Sequence, residues 1–123
     1  VSIQPTSVVR IKIAKEQPAD LSDPRSTIGY REGLDTEELW ERGRAAWRLR
    51  AEKVLACEYL VIAHAGIVRM VGTIDGVAKF EGRGDRLAII GKPIPDHPLI
   101  GRADPLDNSS QNPITYGTIP MEE

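Results

Sequence analysis

The stretch Leu34 to Ile74, LDTEELWERGRAAWRLRAEKVLACEYLVIAHAGIVRMVGTI, constrains the fold of this chain more than any other. It reads as a capped amphipathic helix followed by an apolar β-hairpin. Asp35 stands where an N-cap carboxylate accepts from the first turn, and Glu38, three residues on, completes a capping box. Leu34 and Leu39 occupy the hydrophobic-staple positions on either side of the cap. Glu37, Glu38 and Glu41 suit the positive end of the helix dipole; Arg48, Arg50 and Lys53 suit the negative end. Leu39, Trp40, Gly43, Ala46, Trp47, Val54 and Leu55 recur at three- and four-residue steps and define a buried stripe. The pattern predicts one main helix over about residues 36–52. Gly43 on that stripe costs about 1 kcal/mol against Ala, which points to close approach by a neighbouring backbone.

The period then changes. Tyr59 to Ile62 is β-prone, Ala65-Gly66 offers a tight turn, and Ile67 to Ile74 returns as a second strand ended by Asp75-Gly76. Arg69 is the one charge on that second strand, so both hairpin strands are expected to be central and covered on both faces.

Elsewhere the signals are weaker. Val1 to Thr6 is expected to fray. Val8 to Ile13 alternates, with Val9, Ile11 and Ile13 on one face and Val8, Arg10 and Lys12 on the other, which suits a half-exposed edge strand. Residues 16–33 carry Pro18, Pro24, Gly29 and several acids without an apolar period, so a flexible acidic loop is expected there. Val77 to Phe80 and Arg86 to Ile90 read as strands. Pro93, Pro95, Pro98 and Pro105 exclude a long helix, leaving an extended, loop-rich stretch packed by Ile94, Leu99, Ile100 and Leu106. A polar turn over Asp107 to Pro113 leads to a last strand, Ile114 to Ile119. This order predicts a single α+β domain over residues 1–123, with a mainly antiparallel curved sheet or a partly closed small β-barrel packed by the one main helix.

Composition sets limits on function. Of 123 residues, 41% are hydrophobic and 28% charged, the balance of an ordinary globular chain. No apolar run approaches the roughly 20 residues of a membrane span, and the first residues lack a signal pattern, so a cytoplasmic protein with no membrane partner is expected. The single Cys57 admits no internal disulfide and reads as a small apolar residue. The net charge of −2 conceals segregation. Glu16 to Glu41 holds eight acids and two bases, Arg42 to Lys53 five bases and one acid, and Asp96 to Glu123 five acids and one base. A bulk nucleic-acid binder is disfavoured by that balance, but a local basic stripe is not.

Familiar catalytic signatures are missing. Gly82-x-Gly84 lacks the remainder of a dinucleotide fingerprint, and Gly91-Lys92 lacks the P-loop spacing. His64 and His97 have no neighbouring metal-ligand pair, so neither a metal nor another cofactor is expected. Asp104, Asp107 and Asn108 do not match a calcium loop. Asn108-Ser109-Ser110 forms a glycosylation sequon that a cytoplasmic chain would not use.

The group with most chemical content is Arg42, Arg44, Arg48 and Arg50 with Trp40 and Trp47. On one continuous helix, both indoles would flank the Arg44 guanidinium, a cation–π arrangement worth about 0.5–1 kcal/mol. Arg48 would lie one turn beyond. Such a platform can hold a phosphate, a carboxylate or a splayed base. The competing reading is a solvated basic face neutralised by Glu41 or by the acids of residues 16–38. Arg69 would either extend the basic surface or pair with Glu58.

VVRIKI, GRAAWRL, IVRMVGTI, Phe80-Glu81-Gly82, Gly91-Lys92 and Gln111-Asn112-Pro113-Ile114 with Tyr116 together resemble a group of small, mostly uncharacterised bacterial proteins. The similarity spans Val8 to Tyr116. It implies no catalytic residue, and it places Arg44, Trp47, Arg48, Arg69, Asn112 and Tyr116 among the candidate ligand-binding positions. A PUA-like barrel is an architectural analogy only.

Three functions follow as expectations. The first is a non-enzymatic binding module for an anionic ligand, a nucleic acid or nucleotide, through the Arg/Trp helix face. The second is a structural or homo-oligomeric protein in which the acidic segment meets a basic stripe. The third is a small hydrolase or nuclease using His97, Asp96 and an arginine.

Overall fold

A strand covered on both faces must bury consecutive side chains. Val8, Val9, Arg10 and Ile11 are all fully buried, so β1 (Ile3–Lys12) is a central strand and not the half-exposed edge its alternation suggested. The computed structural model describes residues 3–19, 21, 25–45, 47–80, 85–107 and 112–122. Gly82-x-Gly84 and Asn108-Ser109-Ser110 lie outside the described residues.

Four strands form the main sheet: β1, β4 (Tyr59–His64), β5 (Ile67–Thr73) and β8 (Ile114–Glu122). Their order is β5-β4-β1-β8. The hairpin expected from the sequence is β4–β5, paired antiparallel from Tyr59↔Thr73 to His64↔Ile67. Its turn places Ala65 at φ 53° and Gly66 at φ 77°, the two positive values of a type I′ connection. Strand β8 runs antiparallel to β1 over nine residue pairs, from Ile3↔Glu122 to Ile11↔Ile114. Residues 3–6, expected to fray, therefore belong to the ladder. Strands β1 and β4 pair in parallel from Val8↔Tyr59 to Lys12↔Ala63. Two of the three pairings are antiparallel, in keeping with the mainly antiparallel sheet expected, but the parallel β1–β4 pairing makes the sheet mixed, and it does not close into the barrel expected as the alternative.

The crossover from β1 to β4 contains a short ribbon, β2 (Gln17–Pro18) with β3 (Thr27–Ile28), and two helices. Part of the stretch expected to be a structureless loop is therefore paired. Helix α1 (Thr36–Arg44) starts as predicted: the Asp35 side chain accepts from the Glu38 amide at 2.8 Å. It ends early. Ala45 is extended (φ −150°, ψ 164°), and a second helix, α2 (Ala51–Leu55), follows only after a gap. The single helix over 36–52 is therefore two. The reason is tertiary: Trp47 donates its amide to the Leu87 carbonyl at 3.0 Å and accepts from the Leu87 amide at 2.8 Å. Leu87 begins β7 (Leu87–Ile90), which pairs antiparallel with β6 (Gly76–Lys79).

The two sheet faces carry separate apolar clusters. On one, Leu39, Trp40 and Val54 of the helices pack with Val9, Ile11, Leu60, Ile62 and Ile89. On the other, Val8, Val61, Val68 and Val71 pack with Ile119, Met121 and the loop residues Leu99 and Leu106. A Cβ on Gly43 would run into the Ile62 side chain, and one on Gly72 into the Trp40 ring. Gly43 thus makes room for a β4 side chain, whereas a backbone was expected.

Arg10 is the exception in this core. Its guanidinium donates to the Leu106 carbonyl (2.9 Å), Thr115 Oγ1 (3.1 Å) and the Pro113 carbonyl (3.3 Å). Its Nε lies 3.2 Å from Asp104 Oδ2, close enough for charge attraction but not aligned as a hydrogen bond. The other Asp104 oxygen accepts from the Leu106 amide at 2.9 Å. One buried cation thus ties the loop before β8 to the centre of the sheet.

Candidate anion-binding hollow

Where β1 ends, the crossover folds back and leaves a hollow of about 350 Å³. Lys12, Ile13 and Ala14 leave β1 along one side. Gln17, Arg25, Ile28 and Gly29 come from the β2–β3 ribbon region; Arg42, Ala45 and Trp47 from the end of α1; Arg86 and Pro113 complete the wall. Lys12, Arg25, Arg42 and Arg86 are cationic, and none of the described lining residues is Asp or Glu.

Local chemistry fixes these groups. Trp47 is held by its two backbone bonds to Leu87, and its indole Nε1 donates to the Gly43 carbonyl at 2.8 Å. That bond satisfies one of the carbonyls a helix leaves open at its C-terminus. Arg25 Nη1 donates to the Ala45 carbonyl at 2.7 Å, and its guanidinium lies 4.8 Å from the Phe80 ring centre. Gly29 has φ 90°, and a Cβ there would strike the Lys15 and Ala14 carbonyls, so the ribbon can approach β1 only with glycine at this point.

Arg42 is 6% exposed. Its Nε donates to Glu38 at 3.0 Å; its Nη1 donates to Glu16 at 2.6 Å and to the Gly29 carbonyl at 3.3 Å. Nη2 has no hydrogen-bond partner among the described residues. Burial works to lower the Arg42 pKa, but the bonds from Glu16 and Glu38 outweigh it and leave it raised. The Arg42 hydrogen bond in turn holds the Glu16 carboxyl below its ordinary value.

A second, broader hollow of about 460 Å³ lies nearby, lined by Lys15, Tyr30, His64 and Arg69, with Glu16, Glu32 and Arg31 also at its wall. Arg69 sits 4.7 Å above the Tyr30 ring, and Tyr30 stacks on His64 with centres 4.9 Å apart. His64 Nδ1 is 2.8 Å from the Ile13 carbonyl. A carbonyl only accepts, so that nitrogen carries the proton.

The six positions singled out from sequence do not converge. Trp47 lines the first hollow and Arg69 the second. Arg44 is spent on Glu41 (2.7 Å) and the Ile89 carbonyl (3.2 Å). Arg48 is 72% exposed, 3.9 Å from Asp85. Asn112 caps the start of β8, its Oδ1 accepting from the Ile114 amide at 3.0 Å. The Tyr116 hydroxyl accepts from the Arg50 amide at 3.0 Å. The outward platform of two indoles around Arg44 does not form, because Trp40 is buried against Gly72 and Trp47 lies beyond the helix end. Arg42, Arg44 and Arg50 are all paired with carboxylates of the same chain. Arg69 donates to the His64 carbonyl and meets Tyr30, and among the described residues it forms no ion pair with Glu58.

Sequence reasoning included Arg42 and Trp47 in its basic group but missed Lys12, Arg25 and Arg86. Those three are scattered through a strand end, a loop and a turn, and no periodicity relates them. His97, the candidate general base, accepts from the Leu99 amide through Nδ1 at 3.1 Å and lines neither hollow. Burial lowers its pKa, opposed by Asp96. Burial raises the Cys57 thiol, which donates to the Lys53 carbonyl at 3.2 Å. Among the described residues no group of three or more His, Cys, Asp or Glu side chains is placed to hold a metal ion. No helix among them is long and apolar enough to cross a membrane.

Comparison of the chain with models of protein families, with curated proteins and with solved structures gave no match. The site therefore has to be interpreted from its own chemistry.

Proposed function

We propose that this chain is a non-enzymatic binding module for an anionic ligand, taken in the hollow that Lys12, Arg25, Arg42 and Arg86 line. The observation that supports it is a concave wall with four cations and no described carboxylate, in a chain whose net charge is −2. Its volume falls within the range of small-molecule sites, about 300–1,000 Å³. Arg25 is held in the wall by its bond to the Ala45 carbonyl. Arg42 is pre-positioned by Glu16, Glu38 and Gly29, and its Nη2 remains for an incoming oxygen. A guanidinium fixed in this way loses little freedom on binding and matches the geometry of phosphate or carboxylate.

The test is calorimetric titration with inorganic pyrophosphate. Binding is expected to weaken between about 50 mM and about 500 mM salt, as contacts between charges do. Arg86→Gln is expected to weaken binding by about tenfold, the loss of roughly 1.4 kcal/mol. The double variant Arg44→Ala, Arg48→Ala is expected to bind like the parent. If the double variant loses binding and Arg86→Gln keeps it, the ligand sits on the helix face and the hollow is not the site.

A further inference from the structure

The main sheet has two edges, and its own chain closes only one of them. Along β5 the proline-rich loop supplies the missing partner: Val68 donates to the Arg102 carbonyl and accepts from the Gly101 amide, Val71 accepts from Ile94, and Thr73 donates to Lys92. Along the far side of β8 nothing among the described residues does the same. An unpaired edge is a template for another strand, and proteins blunt it with charge, proline or cover. Strand β8 runs for nine residues and carries no charged residue before Glu122, so Pro120 alone interrupts it. We infer that β8 pairs antiparallel with β8 of a second copy of this chain, joining two four-stranded sheets into one.

The register against β1 decides which groups face outward. Lys12 donates to the Pro113 carbonyl, so the odd-numbered residues of β8 bond to β1. Ile114, Tyr116, Thr118 and Pro120 therefore turn their backbone groups to the open side. The Ile114 amide is already met by Asn112 Oδ1 at 3.0 Å, and Pro120 has no amide to give. Tyr116 and Thr118 keep amides without a partner among the described residues; the Tyr116 hydroxyl, not its backbone, is what Arg50 engages. The order of donors along the edge, absent, present, present, absent, reads the same from either end. It is its own complement. With a two-fold axis at Gly117, Tyr116 of each copy exchanges both backbone bonds with Thr118 of the other, and Ile114 faces Pro120. Such a contact is isologous and closes at two copies. Thr118 and Pro120 are exposed, so the edge is accessible. A contact of this size belongs to the weak, reversible class, with a Kd of roughly 10–100 μM.

The experiment is sedimentation of the full chain from about 5 to about 500 μM, where a reversible monomer–dimer equilibrium is expected. Thr118→Pro is the matching variant. It removes an amide that bonds to nothing within one copy and repeats on the same edge what Pro120 already does, so the circular dichroism spectrum is expected to stay as in the parent. Its dimer is expected to weaken by at least about tenfold. A parent that stays monomeric throughout, an assembly larger than two, or a folded Thr118→Pro that dimerises like the parent overturns the inference. Amide hydrogen exchange on the parent keeps the test decisive should the variant fail to fold. The Tyr116 and Thr118 amides are expected to exchange at least about threefold more slowly at the highest concentration than at the lowest, while that of Ile114, held by Asn112, does not change. Exchange at Tyr116 and Thr118 that is independent of concentration overturns it.

Discussion

Arg10 shows what a single residue can do to a small core. A guanidinium taken fully out of water is tolerable only when its donors and its charge are met. Three carbonyl or hydroxyl oxygens accept from its two terminal nitrogens, and the Asp104 carboxylate balances its charge across 3.2 Å without an aligned hydrogen bond to Nε. Removing the carboxylate alone leaves a buried charge unbalanced, so Asp104→Ala is expected to cost about 3–5 kcal/mol in urea denaturation. The exposed pair Arg48–Asp85 gives the contrast: Asp85→Ala is expected to cost under about 0.5 kcal/mol. His97 supplies a pH effect. Burial lowers its folded pKa, so the unfolded chain binds the proton more tightly. Stability attributable to this residue therefore rises with pH through the window between the depressed folded value and the ordinary 6.5, and is lost below it. His97→Asn keeps an oxygen for the Leu99 amide, as Asn112 does for Ile114, and is expected to flatten that part of the profile. Neither role was legible in the sequence. VVRIKI reads as alternating, and nothing local says that Arg10 meets an aspartate 94 positions away.

At the scale of elements, the pairing and turn of the hairpin and the N-cap of α1 were legible because short-range rules decide them: a cap, an apolar run, a turn with glycine; that β5 ends the sheet, where a central strand was expected, was not. The end of α1 was not. The apolar period continues past Arg44, and local propensity favours helix, but two backbone bonds from Trp47 to Leu87 draw the chain into extended form. Gly43 tests the packing that results. By propensity Ala would favour the helix by about 1 kcal/mol; against the Ile62 side chain its methyl overpacks the core. Gly43→Ala is expected to lose about 1–3 kcal/mol, measured by thermal unfolding. A gain in melting temperature would show that the gap between α1 and β4 is wider than described. Ala65 offers the opposite case. It holds a left-handed conformation that Asn tolerates better. Ala65→Asn is expected to stabilise the hairpin by about 0.5–1 kcal/mol in the same assay.

Over the whole molecule, the class was legible and the site only in part. One strand, one main helix and then several strands could be foreseen as α+β; the parallel β1–β4 pairing could not, because it depends on where the long connection returns. The hollow likewise draws on five separated stretches of chain, and the sequence reveals charge but not convergence. The acids that segregate into residues 16–41 are partly spent inside the molecule: Glu16 and Glu38 on Arg42, Glu41 on Arg44. This removes much of the charge complementarity that a partner or second copy would have used. What remains distinctive is the cationic cavity, and a ligand seated there should raise stability by about 2.7 kcal/mol at a hundred times its Kd. The most direct test is a heteronuclear NMR titration of the isotope-labelled chain with inorganic pyrophosphate. Shifts confined to the amides of Lys12 to Ala14, Ile28, Gly29, Ala45 and Arg86 and to the Trp47 indole N–H are what this structure predicts. Shifts centred on Arg44, Arg48 and Arg50 with those signals unmoved, or no shifts at all, would contradict it.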